Sequence, residues 1–342
     1  MKILLKMFAL LLVIVLLGLG YGYWWFLQWQ STPLDFKEGE VITIEPGDTL
    51  GRLSSKLEAS GKIVDARLLT AFATYRNKTR INVGEYPITE SLTPDKLLDL
   101  LQSDKTVNYS VTLVEGKTFR DYLKKLHASP KLEKTLTDMT DAEIISELGL
   151  PIAHLEGWFY PDTYRYISNS TDKDILRRAY KKMSVVLDDS WALRQKDLPY
   201  KTPYEALIMA SIVEKETGVP RERPDIAGVF IRRLRIGMRL QTDPTIIYGL
   251  GDRYEGNITR AHLRKPTPYN TYLIDGLPPT PIANPGTKAI VAALNPAEGK
   301  TLYFVAKGDG SHYFSKNLKE HNSAVRRYQL KRREDYRSSP GS

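Results

Sequence analysis

The chain has 342 residues, of which 42% are hydrophobic and 26% are charged, a composition typical of a folded protein with two or three domains. It contains no cysteine, which excludes disulfides, thiolate metal sites and thiol nucleophiles. Its net charge of +9 suits an acidic partner such as a lipid surface, nucleic acid or an anionic polymer, without choosing among them.

The first segment predicts a membrane anchor. Met7 to Leu27 carries no charge and follows Lys2 and Lys6. At about 1.5 Å per residue it can cross a bilayer core of roughly 30 Å. Aromatic residues typical of a membrane interface crowd its far end, namely Tyr21, Tyr23, Trp24, Trp25 and Trp29. A cleaved signal peptide shares the basic start, but we find no small-residue cleavage site before a polar stretch.

We therefore predict that residues 1–30 form a cytoplasmic tip and a single-pass anchor in the cytoplasmic (inner) membrane. The N-terminus would lie in the cytoplasm, because the lysines precede the apolar run, and the remaining chain would lie in the periplasm. Residues 31–40 are a short polar linker.

A pattern then occurs twice. Residues 42–50 and 111–119 each predict a short strand, a glycine turn and a threonine N-cap that begins an amphipathic helix. Two copies are too few for a solenoid. We predict two related α+β units, at 41–105 and 106–150, the first with a strand at 83–88 and a helix ending at Gln102.

An aromatic insert at 155–164 separates predicted helices at 141–148 and 172–193. It contains Glu156 and Asp162 among aromatic rings. This composition suits sugar recognition, and it equally suits a hydrophobic plug between helices.

The stretch from Ala206 to Val213 is apolar except for Ser211 and predicts a buried helix that ends in Glu214, Lys215 and Glu216. Gly218 is expected to be the left-handed residue after the helix. Glu216 extends the row of bulky apolar residues, whereas Glu214 follows smaller ones. Desolvation and the negative end of the helix dipole would both raise the pKa of Glu216, as a general acid requires. A structural Glu paired with an arginine is the alternative.

The rest of the chain is predicted to complete a catalytic domain at 151–330. A helix at 224–235 would expose its arginines, Arg232, Arg233 and Arg235, to solvent. Segments 237–245, 266–272 and 276–279 are rich in proline and glycine and predict ordered loops, where sites are often built. Asn284-Pro285-Gly286 is expected to cap a helix to Leu294, followed by a hairpin at 301–315, a basic helix and a polar tail at 331–342.

Several chemistries are unsupported by the sequence. There is no nucleophile elbow, no glycine-rich phosphate loop and no metal-binding histidine spacing, so we expect no metal, no cofactor and no nucleic-acid partner. Carboxylate chemistry at Glu216 remains, which is typical of glycan cleavage. A hydrolase normally needs a second carboxylate, and Asp162, Asp243 and Asp275 are candidates.

Five segments together resemble a known family. They are Ala-Ser-Ile-Val-Glu-Lys-Glu at 210–216, Leu-Gln-Thr-Asp-Pro-Thr at 240–245, Tyr-Asn-Thr-Tyr at 269–272, Gly-Leu-Pro-Pro at 276–279 and Tyr-Phe-Val at 303–305. In this order they closely resemble the MltG (YceG-like) endolytic murein transglycosylases, over roughly Val41 to Tyr328. Arg232 departs from the pattern, since members tend to have Asn before the Arg-Leu pair.

The resemblance implies an α+β chain with one transmembrane helix, a small LysM-like domain at 41–105 and a mixed α+β catalytic domain. It implies that Glu216 is the catalytic acid, with Glu214 in support. The reaction would cut the β-1,4 bond between N-acetylmuramic acid (MurNAc) and N-acetylglucosamine (GlcNAc) and leave 1,6-anhydro ends. One carboxylate suffices, because the sugar's own C6 hydroxyl is the nucleophile.

Beside that resemblance we expect the loop residues to hold sugars or orient Glu216; these are Gln241, Asp243, Tyr269, Asn270 and Tyr272. Tyr269 would be a stacking platform. Each could instead close a loop or fill the core. The implied partners are peptidoglycan glycan strands, the membrane and peptidoglycan synthases. A two-carboxylate muramidase and a non-catalytic peptidoglycan-binding scaffold are the alternatives.

Overall fold

The computed structural model of the protein describes residues 2–330, with side chains from Leu5 onward, so the predicted tail at 331–342 lies outside the described residues. The chain forms two compact units of mixed helix and strand. The first runs to Tyr109 and includes Tyr166–Ser170. The second contains Ser110–Arg165 and the chain from Thr171 onward.

The first unit begins with a long apolar helix. Its elements are α1 (Lys2–Ser31), β1 (Val41–Ile44), α2 (Leu50–Ala59), α3 (Ala66–Tyr75), β2 (Gly84–Pro87) and α4 (Pro94–Gln102). Within the described residues, α1 is the one helix long and apolar enough to cross a membrane, over Leu5–Ser31. The last turns of α1 pack on the rest of the first unit. The ring centroids of Phe26 and Trp29 lie 5.8 and 5.4 Å from that of Phe72.

Strands β1 and β2 pair antiparallel, with Ile42 opposite Tyr86, and α2 and α3 connect them. Tyr86 is fully buried and its hydroxyl donates to the carbonyl of Leu101 at the end of α4. The predicted strand and helix in this region are therefore confirmed. The linker at 31–40 follows the surface of the unit, where the amide of Leu34 donates to the carbonyl of Leu92 at 2.8 Å.

The remaining elements belong to the second unit, except for the strand-end residues Tyr109, Tyr166 and Ser170, which belong to the first. They are β3 (Tyr109–Thr112), α5 (Phe119–His127), β4 (Leu132–Glu133), α6 (Asp141–Leu148), β5 (Thr163–Tyr166), β6 (Ser170–Thr171), α7 (Asp172–Ala192), α8 (Pro203–Glu216), α9 (Arg223–Arg235), α10 (Asp243–Leu250), α11 (Arg260–Arg264), α12 (Thr287–Leu294), β7 (Tyr303–Ala306), β8 (His312–Ser315) and α13 (Leu318–Val325). Strand β3 pairs with β5, and β4 pairs with β6. Strands β7 and β8 form the predicted hairpin, with Phe304 opposite Phe314.

Both copies of the repeated pattern form the predicted local structure. Gly47 and Gly116 have φ angles of 86° and 73°, the left-handed region that glycine adopts without strain. Thr49 and Thr118 then cap α2 and α5 by accepting backbone amides. The shared sequence therefore specifies a glycine turn and a capped helix in each unit.

Helix α8 lies at the centre of the second unit, packed against α7, α9 and α12. Every residue from Ala206 to Val213 is buried, as predicted. The hydroxyl of Ser211 donates to the carbonyl of Ile208 at 2.7 Å and accepts the amide of Ile282 at 3.0 Å. A polar group inside the helix is thus fully used in fixing a neighbouring loop.

The end of α8 differs from the prediction. The residue that follows it is Thr217, with φ −142° and ψ 133°, and not a left-handed Gly218. Its hydroxyl accepts the amide of Val219 at 2.9 Å. The chain therefore leaves α8 in an extended direction and enters a short 3₁₀ turn, Pro220–Glu222, that leads into α9.

The prediction of a solvated arginine face on α9 is wrong for two residues. Arg233 is buried, and its guanidinium donates to the carbonyls of Leu240 and Leu302. Arg232 donates to the carbonyl of Thr301 at 2.7 Å. Both side chains satisfy irregular backbone carbonyls next to the hairpin, which sequence periodicity does not reveal.

The predictions of a loop at 237–245 and of a helix cap at 284–286 are also wrong in part. Asp243 begins α10, because Pro244 occupies the first turn, where a missing N–H has no consequence. The N-cap of α12 lies within the predicted segment, at Gly286, but it makes no side-chain bond and Asn284 takes no part in it. The amide oxygen of Asn284 instead accepts the buried amide of Phe159 at 3.1 Å.

The aromatic insert packs inside the second unit. Phe159 is fully buried, 5.0 Å from the ring of Phe119. Trp158 stacks on Tyr204 of α8, with ring centroids 5.6 Å apart. These contacts fit the hydrophobic plug better than an open sugar-binding surface.

The approach of α9 to the chain near Ala297 gives a stability test. A Cβ on Gly228 would lie 2.5 Å from the carbonyl oxygen of Ala297, whereas one on Gly51 of α2 would meet nothing within 4 Å. We expect Gly228→Ala to lower the free energy of unfolding by about 1–3 kcal/mol through overpacking. Gly51→Ala should raise it by up to about 1 kcal/mol, because alanine favours helix. Denaturant unfolding measures both; equal effects would contradict the close packing.

Candidate active site

Glu216 is the last residue of α8 and is partly buried. Its Oε1 accepts a hydrogen bond from the hydroxyl of Thr242. Burial raises the pKa of Glu216 to about 7, although the Thr242 bond lowers it. The negative charge of Asp243 raises the pKa further, and the positive charge of Arg233 lowers it. The carboxyl can therefore be protonated near neutral pH, the condition for a general acid.

Thr242 contacts Glu216 but is not among the site residues predicted from the sequence, although it lies in the segment 240–245. It is buried at the start of α10, and its backbone amide donates to the hydroxyl of Thr271 at 3.0 Å. The pattern around it predicts only a loop. The signal that could have marked it is its place beside the predicted residues Gln241 and Asp243.

Gln241 lies next to this threonine in an unusual conformation. Its φ is 48°, in the left-handed region that residues other than glycine seldom adopt. The backbone amide of Gln241 donates to the carbonyl of Thr271 at 3.1 Å, and the residue is exposed. Non-glycine strain of this kind often accompanies functional sites.

Asp243 and Tyr272 are brought together at the same place. The hydroxyl of Tyr272 donates to Oδ1 of Asp243 at 2.7 Å. Burial, then this bond, then the nearby charges of Asp243 and Glu216 raise the pKa of Tyr272. The two residues therefore form a polar pair close to the carboxyl of Glu216.

Asn270 and Tyr269 have internal contacts. The side-chain amide of Asn270 is buried and donates to the carbonyls of His262, Leu263 and Lys265, while its oxygen accepts the amide of Tyr272 at 3.0 Å. Its polar atoms are thus used in bracing the loop that carries Tyr272. The ring of Tyr269 meets that of Tyr248 edge-on at 4.9 Å.

Glu214 has partners that Glu216 lacks. Its Oε1 accepts from Arg223 at 2.8 Å, and its Oε2 accepts the amide of Gly286 at 3.0 Å. Burial raises the pKa of Glu214, while the Gly286 amide and the charge of Arg223 lower it. Both carboxylate oxygens of Glu214 therefore have internal hydrogen-bonding partners.

A second buried carboxyl, Glu156, belongs to the aromatic insert. It accepts from the amide of Phe119 at 2.9 Å, the hydroxyl of Tyr248 at 3.1 Å and the side chain of Asn284 at 3.3 Å. Burial raises the pKa of Glu156 to about 7. Its fully used oxygens connect α5, α10 and the chain before α12, a role for which the sequence gives no local signal.

The other candidate carboxylates form ion pairs elsewhere. Asp162 pairs with Lys182, and the side chain of Asp275, 79% exposed, pairs with Arg239 at 2.9 Å. Of the three candidates for a second carboxylate, Asp243 is the one whose charge acts on Glu216. Within residues 2–330 no group of acidic and histidine side chains is arranged to hold a metal ion.

Known proteins are similar to this chain in sequence, and a solved structure is similar to it in fold. An endolytic murein transglycosylase of Bacillus subtilis is 29% identical over 312 residues, covering 86% of each chain. One from Streptococcus pneumoniae serotype 2 is 27% identical over 355 residues, covering 93% of this chain and 64% of the relative. The crystal structure of a YceG-like protein from Listeria monocytogenes matches with a TM-score of 0.51 and 31% identity, covering 84% of this chain and 99% of that one.

The family-level match extends over nearly the whole described chain outside α1. Residues 42–327 match the model of the YceG-like family. That span contains Glu216, Thr242 and every loop residue expected at the site. This chain therefore belongs to the YceG-like family.

Proposed function

We propose that the chain is a lytic transglycosylase that cleaves the β-1,4 bond between MurNAc and GlcNAc in peptidoglycan glycan strands. The observation that carries the proposal is Glu216, a partly buried carboxyl whose pKa is raised to about 7. Within the described part of the chain its side chain has one hydrogen-bonding partner, Thr242. The names of its relatives, which describe murein transglycosylases, support the substrate class.

The reaction needs one carboxyl group in two protonation states. Protonated Glu216 gives its proton to the glycosidic oxygen, and the bond from that oxygen to C1 of MurNAc breaks. The resulting carboxylate then takes the proton of the C6 hydroxyl as that oxygen bonds to C1. Glu216 is protonated again, and the strand is left with a 1,6-anhydro end and no added water.

The neighbouring side chains are suited to holding sugars. Gln241 is exposed beside the acid, and Asp243 and Tyr272 form an oriented polar pair. We propose that these three bind the substrate near the scissile bond. Asn270 would act indirectly by bracing the loop, and Tyr269 would offer at most the free part of a ring packed on Tyr248.

The location of the reaction follows from α1. We propose that α1 is a single-pass anchor with its N-terminus in the cytoplasm, so that the chain after α1 lies in the periplasm. The enzyme would then meet nascent strands near the membrane, terminate or release them, and work beside peptidoglycan synthases. We also propose a LysM-like role for residues 41–105. It is supported by the order of strand, two helices and strand in the first unit, in which the two strands pair.

One prediction of the proposed function concerns the product. Full-length protein in detergent, incubated with uncrosslinked glycan strands, should release fragments lighter by one water than hydrolysis products, as measured by mass spectrometry. Hydrated ends would indicate a two-carboxylate muramidase that uses Asp243. An absence of cleavage would favour the peptidoglycan-binding scaffold.

A second prediction separates the two glutamates of α8. Glu216→Gln should lower kcat by about 10²–10⁴-fold or more, because a general acid contributes on that order. Glu214→Gln should lower activity less, yet it should reduce the free energy of unfolding by about 1–3 kcal/mol, because it weakens a buried bond to Arg223. The opposite assignment of activity would mean that Glu214 is the acid.

The difference in stability between Glu216→Gln and wild type should also change with pH in a defined direction. The pKa of Glu216 is raised from an ordinary 4.5 to about 7, so the folded state holds this proton more tightly than the unfolded state. This contribution to wild-type stability is complete below 4.5 and is lost as pH rises through 7. The variant lacks that loss, so its stability relative to wild type should increase over this range, as measured by denaturant unfolding at several pH values.

A further prediction tests Gln241. Gln241→Gly should raise the free energy of unfolding by about 1 kcal/mol by removing left-handed strain, while lowering activity through loss of the side chain. Asp197→Gly is the matched control, because Asp197 is also left-handed (φ 59°) and exposed, and its substitution should leave activity unchanged. Unchanged activity in Gln241→Gly would remove Gln241 from the binding site.

A further inference from the structure

Thr242 occupies the N-cap of α10 but makes no side-chain cap. Other threonine N-caps in the described part of the chain each accept a backbone amide from the first turn; they are Thr49, Thr93, Thr118, Thr140, Thr171, Thr202 and Thr259. An N-cap bond contributes about 1 kcal/mol to helix stability. At Thr242 this stabilisation is given up, and the hydroxyl is directed to Glu216 instead.

The position of that hydroxyl is fixed by a buried threonine cluster, defined as Thr242, Thr245 and Thr271. Thr245 donates from its hydroxyl to the carbonyl of Thr242 at 2.7 Å, and its hydroxyl lies 2.9 Å from that of Thr271. Thr271 accepts the amide of Thr242 at 3.0 Å. All three residues are buried, and these bonds hold the backbone that carries the Thr242 hydroxyl.

The bond distinguishes the two oxygens of the carboxyl group. Thr242 donates to Oε1, and an oxygen that accepts such a bond is the poorer place for the acid proton. Among residues 2–330 the structure gives Oε2 no hydrogen-bonding partner, so this oxygen is left for the substrate.

We propose that Thr242 is a positioning residue that keeps the acidic proton of Glu216 on Oε2, the oxygen that protonates the glycosidic bond. This inference rests on the proposed function. After the proton has left, the same hydroxyl stabilises the carboxylate that takes the proton of the C6 hydroxyl. Thr242 thus serves both halves of the reaction without contacting the reacting atoms.

The charged and titratable groups around Glu216 come from three segments. Asp243 begins α10 and raises the pKa of Glu216, Arg233 of α9 lowers it, and Tyr272 lies near enough to feel its charge. Loss of the Thr242 hydroxyl removes a contribution that lowers the pKa and leaves the other groups in place. The pKa of Glu216 should therefore rise.

The experiment compares Thr242→Val, which lacks the hydroxyl at nearly constant volume, with Thr242→Ser, which restores it. Full-length protein in detergent is assayed on uncrosslinked glycan strands for kcat and for kcat/KM against pH. Thr163→Val is the matched control, because it removes an exposed hydroxyl bonded to Thr112 in the same unit. Circular dichroism and unfolding midpoints check that each variant is folded.

We expect Thr242→Val to lower kcat by about 10- to 100-fold, because one hydrogen bond to a catalytic carboxyl is lost. The alkaline limb of its kcat/KM profile should move to higher pH, since the acid now holds its proton more tightly. Thr242→Ser should recover most of the rate and the wild-type limb, and Thr163→Val should match wild type throughout.

Two other outcomes overturn the inference in distinguishable ways. If Glu216→Gln is inactive but Thr242→Val keeps the wild-type limb, whatever its rate, Thr242 is structural and only this inference fails. If Glu216→Gln remains active, the proposed function fails and the role of Thr242 fails with it.

Discussion

Burial of α8 on nearly all sides brings the carboxylates at its end into a region with little water. A charged group in such a place must be compensated or must take up a proton. Both solutions occur within three residues at the end of α8. Glu214 receives a guanidinium and a backbone amide, whereas Glu216 receives a single hydroxyl and a raised pKa. The same helix end thus holds one carboxyl with charged and backbone partners and one that the proposed function uses as the acid.

The surrounding elements are arranged to keep this difference. Arg233 brings positive charge near Glu216, yet its donors are directed to the carbonyls of Leu240 and Leu302 and not to the carboxyl. An arginine bonded directly to Glu216 would hold the pKa low and remove the acid. Because Leu240 directly precedes Gln241 and Thr242, Arg233 instead fixes the loop that carries the hydroxyl.

Much of the helical framework could be predicted from the sequence because it depends on local signals. The buried stretch of α8, the threonine caps of α2 and α5 and the β7–β8 hairpin follow from periodicity and turn residues, and these predictions are confirmed. The raised pKa of Glu216 could also be predicted, since burial of the row it extends is its leading cause.

The remaining features depend on contacts between distant segments. Arg233 looks like a surface residue until the carbonyl of Leu302 is placed beside it, and Glu156 lies 128 positions from Asn284, whose amide it accepts. The start of α10 is not predicted, because Pro244 is a loop signal in sequence although proline is tolerated in the first turn of a helix. Composition alone cannot show which carbonyl or carboxyl a side chain will meet.

The local departures from favourable structure are concentrated around one carboxyl. Gln241 adopts a left-handed conformation, Thr242 makes no side-chain cap, and partly buried Glu216 has no ionic partner within residues 2–330. Each of these alone destabilises the folded chain, and all three lie within hydrogen-bonding reach of one another or are adjacent in sequence. Elsewhere the threonine N-caps of this chain follow the usual rule. Several departures from local rules together at one acid are typical of functional sites, and they support the proposed catalytic role of Glu216.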